Sequence, residues 1–216
     1  MIQKPPRPMT DLAKKTTTPQ QVRAQQTYER ILEVAAEVLA EAGLDGLTTN
    51  LVCKRAGLTP PTLYRYFHDK YDLLEVLGHR LMDAQNQVLM GWATPETLRQ
   101  PPQALGHSVL ALFAQVLELT RAYPAGVSIT RAVQAVPALH GVVLESHRSM
   151  AAALASVCQE AFPQARPERV RAMTRVAIQC AYSLMEMLFD EPEQPVELVG
   201  EGLARVVVAL VDDLRP

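Results

Sequence analysis

At 216 residues, 48% of them hydrophobic, the chain carries enough apolar mass for a sizeable core, which excludes disorder throughout. Only 5% is aromatic while Ala, Leu, Val and Met abound, and no run alternates apolar and polar residues over the length of a strand, so the expected class is all-α. The net charge of −2 hides an asymmetry: residues 1–70 hold ten Lys/Arg against seven Asp/Glu, residues 71–216 eleven against sixteen, and every lysine lies in the first part.

Residues 1–19, rich in Pro, Thr and Lys, are expected to form a flexible basic arm. From Gln20 to Ala42, Tyr28, Ile31, Leu32, Ala35, Val38 and Leu39 recur at helical spacing, and Gly43 ends the helix. A short helix follows from about Thr48 to Ala56, with Thr48 or Thr49 as its N-cap, and another from Pro60 or Pro61 to Phe67. The fourth helix runs from Lys70 to Trp92 and ends before the break at Thr94-Pro95. Further helices are expected at about 102–122, 124–136, 138–162, 166–190 and 194–214. The sum is a two-lobed subunit of nine helices, in which three small helices (20–69) precede a bundle of longer ones (70–216).

Residues 48–67 have the layout of a helix-turn-helix. Val52, Cys53 and Ala56 face inward, Gly57 suits a left-handed turn, Leu58 plugs the space between the helices, and Leu63 and Phe67 bury the second helix. Pro61 is expected at the first helical position, with Pro60 as the junction residue. Pro60, Pro61, Thr62, Tyr64, Arg65 and His68 are left on or near the outer face. A short helix of this kind fits the major groove, where proline rings and the Thr62 methyl can pack on thymine methyls and Arg65 can donate two hydrogen bonds to a guanine. Thr49, Tyr64, Tyr66, Lys70 and helix N-terminal amides can hold phosphates and set register. The competing interpretation is a helical hairpin whose Tyr and Arg only cover an apolar floor.

The stretch "LTTNLVCKRAGLTPPTLYRYFHDKYDLL" resembles the DNA-binding segment of TetR-family transcriptional regulators: a threonine-led short helix, an Ala-Gly-Leu turn (Ala56, Gly57, Leu58), the core Thr62 to Phe67, and Lys70 opening the fourth helix. The resemblance covers residues 28–74 closely and the remainder only in helix number and length. It implies base or backbone contacts by Asn50, Pro60, Pro61, Thr62, Tyr64 and Arg65, and phosphate contacts by Thr49, Tyr66 and Lys70. Three positions depart from the family pattern: Pro60 stands where many members have a polar side chain, Pro61 where glycine is frequent, and Cys53 where alanine is usual. The two prolines weaken hydrogen-bond readout at that point of the helix.

In 166–190, Val170, Met173, Ala177, Cys180, Leu184 and Met187 follow a coiled-coil spacing, and Ile178, Tyr182, Met185 and Phe189 form a second stripe. The last helix repeats the arrangement with Val199, Leu203, Val206 and Leu210 beside Val207, Val208, Val211 and Leu214. A helix apolar on two faces has two partners, so one stripe of each can close the subunit and the other pair across a twofold axis; a monomer with both helices central is the alternative. The resemblance favours the homodimer, which would bind a palindromic double-stranded DNA operator. Trp92, His107, Phe113, Tyr123, His147, Met150 and Tyr182 are isolated polar or aromatic residues on the intervening apolar helices. Together, and by the resemblance, they suggest a pocket for a small, lipophilic effector.

Other chemistries lack their motifs. His140 and His147 share a helix face near Glu145, but no Glu-x-x-His or His-x3-His pair supports a metal. No phosphate-cradling glycine loop or nucleophile elbow occurs, so neither enzymatic activity nor a cofactor is expected. Cys53, Cys158 and Cys180 form no CxxC pair and are expected as small buried hydrophobes in a reducing compartment. The densest apolar run, Val206 to Val211, is far below the ~20 residues of a membrane span, and the start lacks the apolar core of a secretory signal; the cytoplasm is the expected location. The expected function is that of a ligand-responsive transcriptional repressor, the alternative a helical lipophile-binding or scaffold protein without sequence-specific DNA binding.

Overall fold

A computed structural model describes residues 19–215, and residues 1–18 of the expected arm lie outside it. Among the described residues there are ten α-helices, one 3-10 turn and no strand. They are α1 (Pro19–Gly46), α2 (Thr49–Ala56), α3 (Pro60–Tyr64), α4 (Lys70–Trp92), α5 (Pro95–Leu98), α6 (Pro102–Ala122), α7 (Gly126–Ala135), α8 (His140–Ala161), α9 (Pro167–Asp190) and α10 (Val196–Asp212). None is long and apolar enough by itself to cross a membrane.

The class is as expected, and the count differs by the one-turn helix α5. Thr94 ends no more than a pause: its side chain accepts a hydrogen bond from the Thr97 amide (3.1 Å) and caps a new turn. Just beyond α5, Arg99 donates to the carbonyls of Ala161 (3.0 Å) and Glu160 (2.8 Å), covering acceptors left open at the end of α8. The first helix is also not small. It spans 28 residues, because the helical turns resume beyond Gly43, where the end was expected, and run to Gly46.

Local chemistry sets most helix ends. Gly43 has φ 67° and ψ −172°, a conformation that L side chains avoid, and it kinks α1 just before Leu44. Asp69 opens α4 by accepting from the amides of Tyr71 (2.7 Å) and Asp72 (3.1 Å). Proline in the first turn starts α3, α5, α6 and α9 at no cost in helical hydrogen bonds.

Two apolar clusters organise the packing. The first joins α1, α2 and α3 to the first half of α4 and then extends through Ile129, Ala132 and Val133 of α7 to Val142 of α8. The apolar contacts therefore continue past Lys70, where a lobe boundary was expected. Gly78 on α4 allows this approach, since a β-carbon there would stand 3.0 Å from a Val133 methyl. The second cluster lies among α6, α8, α9 and α10, with the end of α4 at its edge. α4 runs through both, roughly 33 Å long at 1.5 Å per residue.

Candidate nucleic-acid interface

α2, the turn and α3 form a helix-turn-helix whose inner side is closed. Val52 and Leu63 are completely buried, Phe67 and Cys53 nearly so, and Leu58 packs half-buried against them. Gly57 takes the left-handed conformation (φ 68°, ψ 30°) and its amide donates to the Cys53 carbonyl, so the chain turns within two residues. Thr48 is the N-cap of α2, accepting from the Leu51 amide at 3.2 Å.

The start of α3 differs by one residue from the expectation. Thr59, extended at φ −85° and ψ 150°, is the junction, and Pro60 already occupies the first helical position with Pro61 behind it. Both prolines fit because the first turn has no intrahelical use for their missing amides. The consequence for anion binding is a correction: Pro60 and Pro61 have no N–H, and the amides of Thr62 (2.9 Å) and Leu63 (3.3 Å) donate to the Thr59 carbonyl. α3 thus presents no free amide at its first turn. At α4 the Asp69 carboxylate occupies the amides of Tyr71 and Asp72. Among these three helices, α2 is the one whose N-terminal amides can meet a phosphate without displacing a carboxylate.

The outer side carries the expected residues. Asn50, Pro60, Pro61, Tyr64, Arg65 and His68 are exposed, and Thr49 and Thr62 half-buried. Tyr64 is 49% exposed and its hydroxyl lies 3.3 Å from the Thr49 hydroxyl, tying α3 to the start of α2. Thr59 and Thr62 exchange a 2.9 Å hydrogen bond. Among the described residues, Arg65 and Lys54 have no ion pair, whereas Arg55 is held by Glu41 at 2.6 Å.

Two residues expected at phosphates are engaged elsewhere. Lys70 donates through Nζ to the Leu44 carbonyl (3.0 Å), securing the start of α4 to the segment between α1 and α2. The Tyr66 ring packs half-buried on the first cluster, edge-on to Tyr28 at 6.0 Å. Tyr28 also stacks on Phe67 at 5.1 Å, so α1 and the end of the motif share an aromatic cluster that sequence spacing did not disclose.

Behind the motif, the second cluster holds a half-open cavity of about 90 Å³ lined by Trp92, Phe113 and Tyr182 together with Gln85, Val109, Leu154, Ile178, Met185 and Leu203. The other residues expected there divide. His147 is buried behind the cavity, stacked on Tyr182 at 4.0 Å. Burial, then the charge of Arg175, lowers its pKa to about 4 against an opposing hydrogen bond that the ring donates to the Gln179 side chain. Met150 is in the core without reaching the cavity. His107 is exposed beside a groove between α6 and α10, and Tyr123 belongs to the first cluster. Sequence reasoning missed Gln85, whose amide donates to Thr120 Oγ1 at 2.8 Å among otherwise apolar walls.

The expected pairing seams are also partly inside the subunit. Val170 (1% exposed) and Leu203 (2%) are core residues. Met173, Ala177, Cys180, Leu184, Val199 and Leu210 are half-buried and Val206 is exposed. Val176 on α9 and Leu198 on α10 join Val206 as large apolar side chains at the surface; neither was among the expected residues.

The family description "Bacterial regulatory proteins, tetR family" matches residues 31–77, which span the second half of α1 through the first third of α4. The chain is 38% identical over 55 residues to the uncharacterized HTH-type transcriptional regulator YvdT of Bacillus subtilis, and 37% identical over 54 residues to the class D tetracycline repressor protein of Escherichia coli. These matches cover 26% and 25% of this chain, and 28% and 25% of the two relatives, about a quarter of their length. Among solved structures, a tetR-family transcriptional regulator from Streptomyces coelicolor superposes with a TM-score of 0.62 at 18% identity, over 88% of this chain and 82% of that one. The N-terminal match is one of sequence, and the likeness of the larger remainder is one of fold.

Proposed function

Because this chain belongs, through residues 31–77, to the tetR family of bacterial regulatory proteins, we propose that it is a ligand-responsive repressor that binds a palindromic operator as a homodimer and is released by a small lipophilic effector. One observation carries the DNA-binding part: α3 buries Leu63 completely while Tyr64, its last residue, and Arg65, its C-cap, are exposed. An Arg without an ion pair among the described residues, at the end of a short helix, suits bidentate recognition of a guanine. Asn50, Thr49 and Lys54 flank it on α2.

The pairing surface proposed is the outer face of α9 and α10, where Val176, Leu198 and Val206 are exposed, with Cys180, Leu184, Val199 and Leu210 half-buried beside them. Two such subunits about a twofold axis present two reading helices, as a palindrome requires. The effector would occupy the cavity at Trp92, the last residue of α4, and tilt that helix, whose first residue, Lys70, holds the Leu44 carbonyl beside the motif. A coupling of ~1–3 kcal/mol is enough for useful derepression. The repressor role draws support from the name of the Escherichia coli relative, and the site of action is the cytoplasm.

The test is a gel shift on DNA from immediately upstream of the chain's own reading frame, at several salt concentrations. A specific complex whose affinity falls steeply with salt is the expected result. Absence of a specific complex would leave the rival, a helical lipophile-binding protein, in possession of the fold.

A further inference from the structure

We propose that the effector is a compact, uncharged, largely apolar molecule bearing one hydrogen-bond acceptor, and that the indole N–H of Trp92 is the group that meets the acceptor. The inference rests on the effector reading of the cavity and adds its chemistry.

Three features of the cavity lead there. The first is charge: no Asp, Glu, Lys, Arg or His lines the 90 Å³ cavity, and none lines a neighbouring one of about 40 Å³ that shares Trp92, Leu154, Ala177 and Val207 as walls. A charged group taken into such a space would lose its hydration with no counter-charge in return. The second is hydrogen bonding. Each of the other polar side chains around both cavities makes at least one hydrogen bond: the Gln85 amide donates to Thr120, Tyr182 to Asn86 (3.3 Å) and Thr174 to the Val170 carbonyl (2.9 Å). Trp92 is the exception, because its Nε1 is buried without any acceptor among the described residues. An indole N–H only donates, so the complementary ligand atom is an acceptor such as a ketone, ester or ether oxygen. Leaving a buried donor unmade is costly, and a ligand that supplies the acceptor removes that cost.

The third feature is size. An apolar cavity of about 150 Å³ takes up benzene. The two spaces beside Trp92 are smaller singly and about 130 Å³ together; a shift of the indole, which breaks no hydrogen bond, would join them, and a ring with a short substituent would fill the joined space out to its open side. Trp92 closes α4, so a ligand seated against it acts on the helix that reaches the motif.

The experiment uses the DNA-free protein and three probes of nearly equal shape: acetophenone, α-methylstyrene (its carbonyl oxygen replaced by CH2) and benzoate. Isothermal titration is expected to show acetophenone binding about 3- to 10-fold more tightly than α-methylstyrene, the range of one net hydrogen bond, and benzoate not binding. In Trp92→Phe the two neutral probes should bind alike, with α-methylstyrene little changed. Trp92 is the sole tryptophan, so one indole N–H resonance reports the bond directly in the unaltered protein and should move downfield with acetophenone alone. Equal binding of the two neutral probes to the unaltered protein overturns the proposal. So do binding of benzoate, a preference that survives Trp92→Phe, or no binding by any probe. None of these measurements involves DNA: expected probe binding without an operator complex would remove the regulator reading and leave the cavity chemistry standing, and the reverse pattern would do the opposite.

Discussion

Arg80, in the middle of α4, grips Glu29 of α1 with two parallel hydrogen bonds, Nη1 to Oε2 at 2.5 Å and Nη2 to Oε1 at 2.9 Å. The guanidinium also lies 5.7 Å from the Tyr28 ring, and Tyr28 in turn stacks on Phe67 at the end of the helix-turn-helix. The pair lowers the Glu29 pKa and raises that of Arg80, each chiefly through the shared hydrogen bonds. A displacement of α4 therefore reaches the reading helix through Glu29, Tyr28 and Phe67 as well as through the chain itself.

Cutting this link is expected to change DNA binding more than stability. The pair is over one-third exposed on both sides, so Arg80→Ala should cost under about 1 kcal/mol in a denaturant titration. Its dissociation constant for the operator should rise about 5-fold or more, within the usual range of coupling energies. Fluorescence anisotropy on both variants, Arg80→Ala and Glu29→Gln, checks whether they fall together and are not additive when combined.

Arg65 and Lys70 are expected to separate in a salt series. Arg65→Ala should cost about 1–3 kcal/mol on the preferred operator and relax preference at one base pair. Lys54→Ala, which removes an exposed lysine beside the reading helix, should weaken all sequences nearly alike and reduce the salt slope by about 1. Lys70→Ala should weaken binding while leaving the slope unchanged, because its ammonium is directed at the Leu44 carbonyl. A slope that drops for Lys70→Ala would return that residue to the phosphates.

Much of the motif is legible in the chain because its determinants are local. Thr48, Gly57 and Asp69 cap or turn whatever surrounds them, and Leu63 and Phe67 sit one helical turn apart on a helix too short to offer another inner face. The cavity was legible only in part. Phe113 lines it and His107 does not, since six residues carry a side chain about 240° around the helix, and which side meets α4 and α10 is settled by tertiary packing. The same ambiguity placed Val170 and Leu203 on a pairing seam: α9 and α10 are apolar on two faces, and spacing cannot say which face turns inward. Arg80 and Glu29 lie 51 positions apart, and nothing local marks them as partners.

Leu198→Glu is expected to divide the dimer. Leu198 is 63% exposed in the subunit, so the change should leave folding nearly intact and act on association. Light scattering should show the monomer at concentrations at which the unaltered chain is paired, with a dissociation constant at least about 100-fold higher, as for a hot-spot position. Val176→Glu, from the other helix of the same face, should behave alike. If both variants remain dimeric, the pairing surface lies elsewhere.

His147 should make the fold acid-sensitive. Its pKa in the folded chain, about 4, lies below the ordinary 6.5, so the unfolded chain takes up a proton that the folded chain refuses. Stability is unaffected by this group above about pH 6.5 and falls progressively as pH drops from 6.5 towards 4. Thermal melts across that window should show a falling midpoint, and His147→Gln, whatever its starting stability, should show a shallower fall. An equally steep decline in the variant would assign the effect to other groups.

The apolar contacts that run from α1 and α4 into Ile129 and Val133 bear on domain engineering. A graft that cuts at residue 70 and moves residues 19–69 onto another body would uncover that seam on both pieces and match it with foreign side chains. A chimera meant to keep its reading helix in place has to carry α7, or at least its inward-facing residues, along with the transplanted head.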